Sequence, residues 1–170
     1  METAEPLLCL GAPGALGRTE ALLAAHRRLT AAIPAEPERF DLLGHGMHAT
    51  AALQLALARP QSVRTLVLLA PRTIGRDGGP GEGADPALLA RLGDIAVPSL
   101  AVFGTRDTTA PPEAARHYRE RMPGCNLVFV YDAGAAMTDE RPEAVAALVR
   151  DFLERHDLFL VRRESDLIFP

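Results

Sequence analysis

The chain contains no lysine; all 18 of its basic residues are Arg. Beside so much Ala, this reads as a GC-rich codon bias rather than an Arg-specific function. Positive charge is not in excess either. A net charge of −4 and a pI near 5.7 argue against a nucleic-acid or anionic-membrane surface. Cysteine is scarce. Cys9 lies in an apolar strand-like run and Cys125 just ahead of another, a pattern that predicts two reduced core thiols rather than a disulfide. Long apolar runs are missing: Arg, Gln or Pro breaks each one, so no membrane span is predicted. The opening METAEPLLCLGAPG has neither a basic start nor a long apolar core, which predicts a cytoplasmic protein without a leader. No cofactor motif and no metal-ligand cluster stand out, so neither a cofactor nor a metal is expected.

What is present suffices for one globular domain. Over 170 residues, 48% are hydrophobic, enough to build a core. Short apolar runs from Pro6 to Leu10 and over 40–43, 64–70, 98–103 and 126–131 read as five strands. Residues 19–33, 47–59, 86–92, 112–122 and 142–156 read as helices from their spacing and from Pro at starts and stops. Strands alternating with helices predict an α/β fold, a mostly parallel sheet of about five strands flanked by helices. Residues 74–86 hold the one Gly-rich stretch, read as a mobile loop. Residues 1–156 form the expected domain, and 157–170 a tail with strand-like apolar content.

Several segments carry a motif. Leu10-Gly11-Ala12-Pro13-Gly14 is a turn after a strand. Gly44-His45-Gly46-Met47-His48 is a sharp turn between a strand and an Ala-rich helix. The strand after Val97-Pro98 ends in Gly104-Thr105-Arg106-Asp107. Asp132-Ala133-Gly134-Ala135 and Glu140-Arg141-Pro142-Glu143 follow the last strand. In this order they resemble the α/β-hydrolase family, which writes the first as His-Gly-x-Pro-Gly, the second as Gly-His-Ser-Met-Gly and the fourth as Gly-Ala-Gly-His. The likeness runs from about Pro6 to Leu153. It implies a minimal hydrolase-like core without a cap domain, cut from a family sheet ordered 1-2-4-3-5-6-7-8. Only the third, fifth, sixth, seventh and eighth strands are matched, which makes the strand from Pro6 to Leu10 an unpaired edge.

The resemblance implies a triad that this chain does not complete. Gly46 stands at the nucleophile position and Ala135 at the base position; only the acid, Asp107, is kept. A carboxylate cannot activate an absent hydroxyl. Glycine suits the strained elbow turn. The amides of Ala12 and Met47 occupy the oxyanion-hole positions. His48 is large where the family uses small residues, so an altered or filled pocket floor is expected. Asp107 is also an ordinary strand-end cap for neighbouring donors. The leading expectation is a non-catalytic binding or assembly subunit. Its contact surfaces would be the Pro6-to-Leu10 edge, the Gly-rich loop and the tail from Leu158 to Pro170, engaging a protein partner or a second copy. One alternative is an enzyme of altered chemistry, such as a lyase, cyclase, isomerase or weak hydrolase, using His48 and Asp107 as acid and base. The other is a protein that binds a small acyl ligand without turnover.

Overall fold

A computed structural model describes residues 6–11, 14–33 and 39–159. Six strands form one parallel sheet: β1 (Leu7–Leu10), β2 (Leu29–Thr30), β3 (Phe40–His45), β4 (Val63–Leu69), β5 (Ser99–Gly104) and β6 (Cys125–Val130), in the spatial order β2-β1-β3-β4-β5-β6. The helices are α1 (Arg18–Ala24), α2 (His48–Ala58), α3 (Pro86–Arg91), α4 (Ala115–Arg121), α5 (Met137–Glu140) and α6 (Pro142–Arg155). Among the described residues, no helix is long and apolar enough to cross a membrane.

The strand sequences explain the two-sided burial. Side chains alternate across a strand, and here both phases are apolar. Leu8, Leu42, Leu66, Leu68, Ala101 and Phe103 enter one core layer with Leu53 of α2 and Tyr118 of α4. Leu7, Leu43, Val67, Leu69, Leu100 and Val102 enter the other with Val145, Val149 and Phe152 of α6. Nearly continuous apolar runs are what a parallel sheet covered on both faces requires.

One element differs from the sequence reading and changes the edge of the sheet. Residues 19–33 were expected to be one helix, but α1 stops at Ala24 and Leu29–Thr30 form β2. The helical spacing of Leu29 is met instead by strand packing: Leu29 lies against the second core layer, while Ile33 is half exposed. β2 pairs with β1 through Leu7↔Leu29 and Leu8↔Thr30, and the Leu7 N–H donates to the Arg28 carbonyl at 2.9 Å. The strand from Pro6 to Leu10 is therefore not the bare edge that was expected. The order of the six matches the family's 4-3-5-6-7-8, with β2 in the place of the fourth strand. Residues 160–170 of the tail lie outside the described residues.

A buried ion network fixes the N-terminal end of the sheet, away from the motif loops. Asp41 on β3 is fully buried. It accepts from Arg64 through both nitrogens of the guanidinium fork and from the Thr65 hydroxyl at 2.7 Å. Arg27 approaches it at 3.6 Å and also donates to the Leu153 carbonyl at 3.1 Å. One carboxylate thus joins β3, β4, the α1–β2 connection and the end of α6. Removing one member of a buried charge network strands the others. Asp41→Ala is expected to lose about 3 kcal/mol in urea denaturation, with an unchanged slope; a loss within error would show the network to be dispensable.

Candidate functional site

The motif loops meet at the C-terminal ends of β3, β4 and β5. β3 runs into α2 through Gly46 and Met47, and Gly46 has φ +57°. The turn is held by three backbone bonds. Gly46 N–H donates to Leu69 O at 2.8 Å, and Gly46 O accepts from Ala49 and Arg72 N–H at 3.3 and 3.4 Å. Gly44 makes the turn possible. A Cβ there would stand 2.8 Å from the Ala52 Cβ and the His48 carbonyl and 2.9 Å from the Ala49 Cα. At Gly46 the space is open by contrast: the first atom met is Arg72 Nε at 3.8 Å, with Cζ and Nη2 at 4.0 Å.

Arg72 is the residue that the sequence reading missed. It follows β4 after Ala70-Pro71, and its guanidinium lies beside Gly46. Nη1 pairs with Glu82 at 3.0 Å, while the buried Nε has no hydrogen-bond partner. The signal available in the sequence was only positional, since sites in parallel sheets gather at the C-terminal ends of strands.

The Gly-rich segment folds back on itself as a hairpin. Ile74 and Pro80 form an antiparallel bridge. Gly81 N–H donates to Thr73 O and Glu82 N–H to Arg72 O, both at 2.8 Å. The buried Tyr118 hydroxyl accepts from Ile74 N–H at 3.1 Å and donates to Pro71 O at 3.2 Å; burial keeps that phenol protonated well above its usual range. The Thr50 hydroxyl of α2 lies 3.0 Å from that of Thr73 and donates to Glu82 O at 2.8 Å. Arg121 donates to Gly78 O at 2.7 Å. Between this hairpin and the turn after β5 opens a cleft of about 420 Å³, lined by Arg72, Ile74, Arg76, Glu82, Thr108 and Thr109 among others.

Asp107, after β5, is 3% exposed. Its Oδ1 accepts from Thr109 N–H (2.8 Å), the Thr109 hydroxyl (2.8 Å) and Ala110 N–H (2.9 Å), closing an Asx turn. Oδ2 is buried with no partner. Arg106 turns away to Asp132 at 3.0 Å. The Ala135 carbonyl lies 3.3 Å from His45 Nε2, and His45 Nδ1 lies 3.2 Å from Ala15 O. A neutral imidazole can donate to only one of these two acceptors.

His48 opens α2 and packs on the β1 turn, with Cδ2 and Nε2 3.2 and 3.3 Å from where a Gly11 Cβ would lie. No hydrogen bond joins its ring to Asp107. Met47 is 56% exposed. Ala12 lies outside the described residues, so the expected pair of amides cannot be drawn. No group of three or more His, Cys, Asp or Glu able to hold a metal ion occurs among the described residues.

No protein-family model matches the chain. Over 63 residues it is 41% identical to a pimeloyl-[acyl-carrier protein] methyl ester esterase of Neisseria meningitidis serogroup B, a stretch covering 37% of this chain. The chain spans only 24% of that relative's length. Solved structures agree over far more of it. A serine hydrolase of carbazole degradation superposes with a TM-score of 0.72 at 15% identity, covering 88% of this chain and 91% of its own. Proline iminopeptidase of Mycobacterium smegmatis gives 0.71 at 16% identity, covering 94% and 92%. The chain has the α/β-hydrolase fold. Gly46 lies in the turn between β3 and α2.

Two predictions follow from this geometry. Gly44→Ala forces backbone apart and is expected to cost several kcal/mol (about 3 or more), whereas Gly46→Ala costs about 1 kcal/mol, the penalty of positive φ alone; equal losses in chemical denaturation would contradict the packing described. The two free thiols supply the other. Cys9 is pushed up to about 12 by burial and by Glu20, and Cys125 to about 12 by burial. At pH 8 both are expected to react with an aromatic disulfide roughly a thousandfold more slowly than an open thiol. Because folding raises these pKa values, the thiols' contribution is fully present below pH 9.0 and lost as pH climbs toward about 12. Rapid labelling of the folded protein would place a thiol at the surface.

Proposed function

We propose that this protein is a hydrolase-fold binding protein that does not turn over esters. The observation that carries the reading is at Gly46. Where a nucleophile's hydroxyl would project there is no side chain, and the neighbouring group is the Arg72 guanidinium, a donor rather than a base. Ala135 offers no imidazole to accept a proton. Asp107 has its Oδ1 committed to the Thr109 and Ala110 donors, which suits a turn cap. The acid/base alternative gains less support, because His48 packs on Gly11 while Asp107 faces its own turn.

The similarity to an esterase acting on an acyl-carrier-protein methyl ester supports a small acyl compound as the class of ligand. Two free, protonated thiols suit a reducing, cytoplasmic setting. Docking through the strand from Pro6 to Leu10 is withdrawn, since β2 pairs with it. Assembly with a protein partner or a second copy is assigned instead to the tail from Leu158 to Pro170.

The test is turnover of short acyl esters and thioesters. The native protein and Gly46→Ser are both expected to stay at the buffer rate. In the variant, the Ser hydroxyl would lie within reach of Arg72 Nε–H and act as an acceptor, with no base to take its own proton. Turnover by the native protein that Asp107→Asn abolishes would overturn the proposal. So would burst acylation of Gly46→Ser.

A further inference from the structure

We propose that the cleft between the hairpin and the Thr108–Thr109 turn binds a small monocarboxylate through Arg76 and Arg72. This rests on the non-hydrolytic reading, in which a carboxylate is a ligand rather than a product. The cleft lies at the C-terminal ends of the adjacent strands β4 and β5, and its roughly 420 Å³ falls in the range of small-molecule sites. Its lining combines two arginines, two threonines, one glutamate and an apolar wall of Ile74 and Pro111. That is a polar head with a short greasy flank.

The charges select the ligand. Glu82 is the carboxylate on the wall, and it is paired with Arg72. That pair is 34% and 45% exposed, so it is weak and readily exchanged for a ligand carboxylate. Arg76 is exposed and makes no ion pair with any described residue, which leaves one cation unmatched. Asp107 lies behind the Thr108–Thr109 wall with its Oδ2 unpartnered, a second negative charge near the site. With Glu82 and Asp107 already opposing Arg72 and Arg76, a monoanion gains the Arg76 fork at the least repulsion, whereas a dianion is repelled about twice as strongly. The planar fork of arginine matches a carboxylate in two parallel hydrogen bonds. The chemistry is therefore that of a monocarboxylate with a short alkyl chain, and a phosphate is disfavoured.

The probe is butanoate, titrated into the full chain at low ionic strength and followed by amide chemical shifts. Saturable binding at one site is expected, with the largest shifts in residues 72–82 and 108–111. Arg76→Gln, an exposed change that leaves the fold alone, is expected to weaken binding about tenfold. Arg72→Gln should weaken it to a similar degree, and Asp107→Asn should strengthen it severalfold by removing a repelling charge. The proposal fails if butanoate does not saturate, if neither Arg variant changes its affinity, or if inorganic phosphate binds more tightly than butanoate. Methyl butanoate under the same conditions separates the two readings. Methanol release would sink the non-hydrolytic reading, while the affinity for butanoate itself and its dependence on Arg76 decide the carboxylate site.

Discussion

The whole site depends on how closely α2 can approach the end of β3. A parallel strand must reverse direction into its helix within two residues here, and Gly44 is where the helix backbone passes. With the Ala52 Cβ and the His48 carbonyl 2.8 Å from any side chain placed there, only glycine allows the turn to close. Once it closes, Gly46 has to take φ +57°, and its carbonyl and amide are fixed by Leu69 and Arg72. Arg72 is thereby brought over the elbow by backbone bonding, whatever its side chain does. In a hydrolase this constraint presents a hydroxyl. In this chain it presents a guanidinium.

Two side chains of the rim are held on one side only. Arg72 Nε and Asp107 Oδ2 are buried without a hydrogen-bond partner among the described residues. The turn around Asp107 is nonetheless closed, because Oδ1 collects three donors. These three bonds alone account for Asp107 at this turn.

Much of the fold was legible because two-sided burial writes near-continuous apolar runs. β3, β4 and β5 and the helix α2 between them fall where those runs and their Gly and Pro punctuation placed them. The failures have physical causes. Leu29 sits at helical spacing from Leu22 and Leu23 by coincidence, and only the tertiary pull of Arg27 toward Asp41 and Leu153 shows that the helix must end first. The glycines of residues 74–86 promise freedom, but freedom is cancelled by Tyr118, Thr50 and Arg121, which lie far off in sequence. At the site, the empty positions Gly46 and Ala135 could be read directly, whereas Arg72 could not. Its role comes from meeting a residue 26 positions earlier, and no local pattern announces such a contact.

A change at the elbow need not loosen such a fold, because the elements that hold it together and those that shape the site lie at opposite ends of the sheet. Asp41, Arg64 and Arg27 lock the N-terminal ends of the strands, and the two apolar layers fill the middle. Only the C-terminal rim carries the positions at which a hydrolase acts. Glycine at 46 avoids the strain that a side chain would bear at φ +57°. The scaffold therefore leaves the rim free to vary in charge, and here the cleft at the rim is lined by two arginines and one carboxylate.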